Sequence, residues 1–206
     1  MSRWIPNILV IAVLVAAVSA CGSTPETVHY RLDPNVEQDE QPPTQRPTLA
    51  LEQLSVDAAY DDTQIAYRTS PYRLQRYYYH RWVAPPGLMV TDTLRSAYAK
   101  TGRFRSVITG SASRSDMILS GQIAAIEEVD ISEEEWQGRI VLDLRLRDST
   151  TGDLLWSVTV EERETLEERS PAGLAEALSE ALERIVEHTS REFVEAYRGG
   201  DTDDES

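Results

Sequence analysis

The sequence predicts an α+β domain: a largely antiparallel, mixed sheet with two helices packed on one face, the second of them long and C-terminal. Three observations predict it. Alternation of apolar residues recurs through the middle of the chain. It is clearest in Arg139–Arg147, where Ile140, Leu142, Leu144 and Leu146 alternate with Val141, Asp143, Arg145 and Arg147. A long amphipathic stripe follows: Leu174, Leu178, Ala181, Leu182, Ile185, Thr189, Phe193 and Tyr197. A shorter helical pattern of Leu88, Leu94, Ala97 and Tyr98 lies among the strands.

The elements follow in order. Thr27–Leu32 alternates, with Val28, Tyr30 and Leu32 on one face. Asp33–Pro47 is polar and rich in proline towards its end, which predicts a loop. Leu49 and Leu51, then Leu54 and Val56, predict a strand with a bulge where the register changes. Ala59–Asp62 reads as a turn. Ile65–Arg68 and Tyr72–Trp82 read as two strands joined at Ser70-Pro71, with five tyrosines raising their β-propensity.

Pro85-Pro86 ends that run and opens the first helix, which Gly102 stops. Phe104–Ile108, Asp116–Ile126, Arg139–Arg147 and Leu154–Val160 are strands. The last two form a hairpin turned by Thr151-Gly152, with Leu154, Trp156, Val158 and Val160 on one face. Ser170 and Pro171 open the second helix, and Gly199-Gly200 ends it. The expected organisation is a signal peptide over 1–20, a tether over 21–26, one domain over 27–198 and a disordered acidic tail over 199–206.

The 206 residues hold 20 Lys+Arg and 35 Asp+Glu, for a formal net charge of −15. This balance argues against a nucleic-acid binder. The charge is split: residues 1–126 hold 12 basic and 11 acidic residues, and 127–206 hold 8 and 24. Within the first part, 63–114 carries nine basic residues against Asp92 alone. One cysteine excludes a disulfide framework and a Cys-type zinc site within one chain.

That cysteine sits where processing chemistry needs it. Arg3 precedes an unbroken apolar run from Ile8 to Val18, followed by Ser19, Ala20 and Cys21. The run is of signal-peptide length and too short for a membrane span, which needs about 20 apolar residues. Val18-Ser19-Ala20-Cys21 resembles a bacterial lipobox, with Val18 where Leu is preferred. The resemblance implies a lipid on the Cys21 thiol, cleavage before Cys21, and an anchored protein with a soluble body. Gly22 rather than Asp after the cysteine implies sorting to the outer membrane.

Catalytic constellations are missing. His29, His80 and His188 are dispersed and form no zinc-binding pair. Neither a GxSxG elbow nor a phosphate-cradling glycine loop occurs. The carboxylates at Glu127, Glu128, Asp130 and Glu133–Glu135, and again at Glu161–Glu168, read as solvated loops and strand ends that protect sheet edges. A weak calcium site in 127–135 is the competing reading. No catalytic residue, metal or cofactor is expected beyond the covalent lipid at Cys21.

The segment 67–82 interleaves Tyr67, Tyr72, Tyr77, Tyr78, Tyr79 and Trp82 with Arg68, Arg73, Arg76 and Arg81. Strand geometry places Tyr72, Leu74, Tyr78 and Trp82 on one face, and Arg73, Gln75, Tyr77, Tyr79 and Arg81 on the other. The first face reads as core. Two readings stand for the second: a solvated sheet surface, or an interface made by Arg73, Tyr77, Tyr79 and Arg81.

At these residues the chain resembles the ABC-type transport auxiliary lipoprotein family. The resemblance runs through Tyr30-Arg31-Leu32, Ile65-Ala66-Tyr67-Arg68, Ser70-Pro71-Tyr72, and Tyr79-His80-Arg81-Trp82 leading to Pro85-Pro86. It continues in Thr101-Gly102-Arg103-Phe104, Asp116–Ile123, Leu146-Arg147-Asp148, Thr151-Gly152 and Trp156. Val83 and the acidic tail depart from the pattern.

The resemblance implies a non-enzymatic lipoprotein on the periplasmic side of the outer membrane. It implies service to an ABC-type or MCE-protein system that moves lipids between two membranes, at the outer-membrane end of a periplasmic tunnel. The implied partners are an MCE-domain protein, the transport subunits and further copies of the chain, in a ring. The alternative is an envelope-assembly or peptide-binding adaptor lipoprotein unrelated to lipid transport. In a head-to-tail ring the basic segment would complement the acidic half.

Overall fold

A computed structural model describes residues 25–110 and 114–203, the last four of these by backbone alone. The expected signal segment, Cys21 and the tether as far as residue 24 lie outside the described residues. The described residues form nine strands and two helices. The strands are β1 Val28–Tyr30, β2 Thr48–Leu51, β3 Ser55–Val56, β4 Gln64–Ser70, β5 Arg73–Trp82, β6 Ser106–Thr109, β7 Met117–Asp130, β8 Trp136–Asp148 and β9 Leu154–Thr165. Helix α1 spans Pro86–Lys100 and α2 spans Pro171–Asp203.

β7 organises the sheet. Along one edge it pairs antiparallel with β8 over its whole length, and β8 pairs antiparallel with β9. Its other edge is shared in turn by β2, β3 and β4, all parallel to it. β6 continues the sheet beyond β2, and β5 and then β1 continue it beyond β4. The long ladders are antiparallel and the short ones parallel, as the fold class requires. Backbone approach at the centre is close: a methyl group on Gly121 of β7 would collide with the Asp143 carbonyl oxygen of β8.

Both helices cover one face. Ile140, Leu142, Leu144 and Leu146 are buried against them, as their alternation predicts. The Ser170 hydroxyl accepts the Gly173 N–H at 3.0 Å, which satisfies an orphan donor of the first turn of α2. The stripe from Leu174 to Phe193 is buried. The helices meet where Tyr98 and Thr189 share a buried hydrogen bond of 2.8 Å and Tyr98 packs on Phe193. The polar loop after β1 straps the helical layer: the Asp33 N–H donates to Ser179 and the Asp39 N–H to the Thr101 carbonyl.

Several elements differ from the sequence reading. The expected bulged strand over 49–56 is two strands, β2 and β3, whose registers on β7 differ by one residue. In α1, Leu88 is exposed, and Met89 and Val90 fill the core beside Leu94, Ala97 and Tyr98. The strand expected from Phe104 starts at Ser106, and Phe104 is a core residue. β9 continues past Val160 to Thr165. Helix α2 runs through Gly199-Gly200, where it was expected to end, and reaches Asp203 inside the expected tail.

Two corrections touch the candidate site. β7 does not stop at Ile126 but continues to Asp130, and Glu127 and Glu128 are fully buried rather than solvated. The face assigned as core in 72–82 is not one face. The β4–β5 register shifts between Gln64/Ala66, so the alternation of β5 slips. Trp82 is 1% exposed, whereas Tyr78 is 75% and Tyr72, in the turn, is 98% exposed.

Candidate functional site

The end of the sheet formed by the β4–β5 hairpin and the β7–β8 turn concentrates the buried charge. Successive strand residues point to opposite faces, so Glu127 and Glu128 serve two different clusters.

Glu127 lies on the face that the helices leave open. Its carboxylate accepts the Arg68 Nε–H at 3.0 Å, the Arg139 Nη1–H at 2.8 Å and the Tyr60 hydroxyl at 2.8 Å. Arg68 also donates to the Tyr60 oxygen at 2.8 Å. Arg139 reaches onward to Glu161 with two bonds of 3.0 and 3.1 Å, and Arg163 meets Glu161 at 2.8 Å. The result is an ionic ladder across β4, β7, β8 and β9, with three guanidinium groups and two carboxylates. The Arg139 hydrogen bonds hold the Glu161 carboxyl down at about 2. The same carboxylates push Arg139 further up.

Arg68, Arg139 and Arg163 also line an open cleft of about 510 Å³ together with Pro71, Val129 and Ile131. The chemistry of the ladder is electrostatic: donors and acceptors in fixed pairs, with one positive charge in excess.

Glu128 lies on the helix side. It accepts the Tyr77 hydroxyl at 2.9 Å. Arg169, the residue before the α2 cap, stacks 4.7 Å from the Trp136 ring centre and bonds Asp130 at 3.0 Å. Burial raises the Glu128 carboxyl, and the Tyr77 bond opposes that shift. Burial likewise raises the Tyr77 phenol. Sequence reasoning missed both glutamates as buried groups. The available signal was an Arg139 on the same strand pair and an aromatic, arginine-rich hairpin to receive them.

The four expected interface residues separate. Arg73 is exposed at the start of β5. Tyr79 is half-buried, its ring edge-on to Tyr78 at 4.7 Å. Tyr77 turns inward to Glu128, and Arg81 bonds the Thr63 hydroxyl at 3.2 Å. The histidines do not converge: His80 bonds Tyr30 at 3.0 Å and His188 meets Glu192 at 3.3 Å along α2. Among the described residues no cluster of three metal-ligating side chains occurs, and no helix is long and apolar enough to cross a membrane.

Comparison with known proteins places this geometry. A crystal structure of XCC0632 from Xanthomonas campestris superimposes with a TM-score of 0.75 over 87% of this chain and 100% of that one, at 20% identity. A second solved structure, of an uncharacterized protein, gives a TM-score of 0.63 over 82% of this chain and 99% of that one, at 14% identity. These likenesses show the fold. No curated protein matches the chain. The family of ABC-type transport auxiliary lipoprotein components matches residues 30–189, from β1 into α2. The chain therefore belongs to the ABC-type transport auxiliary lipoprotein family.

Proposed function

We propose that this protein is a non-enzymatic lipoprotein of the outer membrane, anchored through Cys21 and facing the periplasm. It serves an ABC-type or MCE system by docking to, or forming, the outer-membrane end of a tunnel that carries lipids between the membranes. The observation that carries the reading is the family match over residues 30–189, which spans nearly the whole folded domain and begins nine residues after the lipobox cysteine. The charge clusters support it as well. Their buried carboxylates are engaged by arginine and tyrosine, an arrangement suited to a rigid docking body.

The chain acts as a homo-oligomer in this reading, a ring at the end of the tunnel. Arg73, Tyr77, Tyr79 and Arg81 belong to the surface offered to partners. Arg73 and Tyr79 make the outward contacts, and Tyr77 and Arg81 hold the strand in place from within.

Two measurements test the reading. Cys21→Ser moves the protein from the membrane to the soluble fraction, and labelled palmitate enters the parent chain but not the variant. The detergent-solubilised protein co-purifies with an MCE-domain protein. Recovery of only a porin or a peptidoglycan-binding factor would overturn the transport role.

A further inference from the structure

We infer that copies of this chain join head to tail by pairing the open edge of β9 with the open edge of β6 in the next copy, so that one sheet runs into the next. This rests on the homo-oligomer reading above and adds the surfaces.

Among the described residues three strands end the sheet: β9 pairs only with β8, β6 only with β2, and the three-residue β1 only with β5. An open edge presents unpaired N–H and C=O groups, and proteins ordinarily blunt it with charge. Here β9 is divided. Its second half carries Glu161–Glu164, and Arg184 donates to the Arg163 carbonyl at 3.1 Å. Its first half, Leu154–Val160, carries no charge, and Leu154 is 58% exposed. β6 is also free of charge over Ser106–Thr109. These two unguarded edges, each longer than the three-residue β1, are the ones that would meet.

Register aligns them. Ile108 lies opposite Ala50, Ala50 opposite Ile118, Ile118 opposite Arg147, and Arg147 opposite Leu154. One line across the sheet thus joins Ile108 at one edge to Leu154 at the other. The two edge strands also run in the same direction, so the contact between copies is parallel.

Charge complements the match. Arg105 precedes β6 and Asp153 precedes β9. Both are exposed, and neither has an ion-pair partner among the described residues. With Ile108 set opposite Leu154 of the next copy, Arg105 and Asp153 become diagonal neighbours, within reach of a long side chain. A two-fold pairing of β9 with β9 would leave β6 bare and Arg105 unanswered. Because the edges differ, the contact is heterologous, and it closes into a ring when the rotation allows.

The test uses the full chain in detergent. A chain carrying both Thr109→Cys and Leu154→Cys, treated with a short bis-maleimide, gives a covalent ladder beyond the dimer, and each single variant gives none. Arg105→Asp and Asp153→Arg each raise the dissociation constant about fivefold, and the double variant restores it. Circular dichroism checks that each variant is folded. A dimer from Leu154→Cys alone, or an oligomer of parental size with no ladder from the double variant, overturns the edge pairing while the homo-oligomer stands. A parent chain that sediments as a monomer at every concentration overturns both.

Discussion

Glu127 and Glu128 are sequence neighbours on β7 whose carboxylates are both fully buried and serve opposite faces of the sheet. One is held by two arginines and a tyrosine, the other by a single tyrosine with an arginine at 3.9 Å. Burying a carboxylate is costly unless its partners replace the water it loses; those of Glu127 do, whereas Glu128 Oε1 is buried without a hydrogen-bond partner among the described residues. The pair therefore commits Arg68, Arg139, Tyr60 and Tyr77 to structural work.

Replacing one member tests that commitment. Glu127→Ala leaves two guanidinium groups facing each other across a gap, at a cost of about 3 kcal/mol. Glu162→Ala, at a half-exposed ion pair with Arg184, costs under about 1 kcal/mol. Urea unfolding curves for the two variants measure the difference.

Acid stability separates two carboxylates by sign. The Glu161 carboxyl is held at about 2 against an ordinary 4.5. Its contribution is therefore present above pH 4.5 and lost as pH falls towards 2. Glu161→Gln flattens that limb. The Glu128 carboxyl is raised, so its contribution is present below the ordinary value and lost as pH rises through the raised one. Relative to the parent, Glu128→Gln gains stability as pH rises through that window. Thermal melts from pH 2 to 7 read both.

Gly121→Ala places a methyl group against the Asp143 carbonyl oxygen. Backbone cannot yield there without opening the β7–β8 ladder, and the expected loss is about 2 kcal/mol. Gly152→Ala, in the exposed hairpin turn at φ 79° with open space around the new methyl, costs about 1 kcal/mol from backbone strain alone. Chemical denaturation compares them.

Tyr98→Phe removes the hydroxyl shared with Thr189 between the helices. Thr189 keeps its own bond to the Ile185 carbonyl at 2.6 Å, so the loss is about 1 kcal/mol. Guanidinium unfolding of the variant checks it.

Local signals made much of this fold legible. The alternation of Ile140 to Leu146, the stripe from Leu174 to Phe193 and the Ser170-Pro171 helix start depend on neighbours in sequence, and they stand in the structure. Glu127 was not legible because its partners Tyr60 and Arg68 lie 67 and 59 residues away. Without them a carboxylate in a strand reads as a loop. The slip in β5 likewise comes from how it meets β4, and no residue within 72–82 announces it. The glycine pair in α2 was expected to end the helix because glycine lowers helix propensity by about 1 kcal/mol. The helix continues through it to Asp203.

The place of β7 also orders events in time. β2, β3 and β4 have their central partner in a strand that enters the chain 61 to 68 residues later. Until residues beyond Met117 have emerged, the first half has only the β4–β5 hairpin and the short β1–β5 and β2–β6 pairings with which to satisfy its backbone. Such non-local pairing makes folding slow. A chain built this way can complete its sheet only once its middle segment is available.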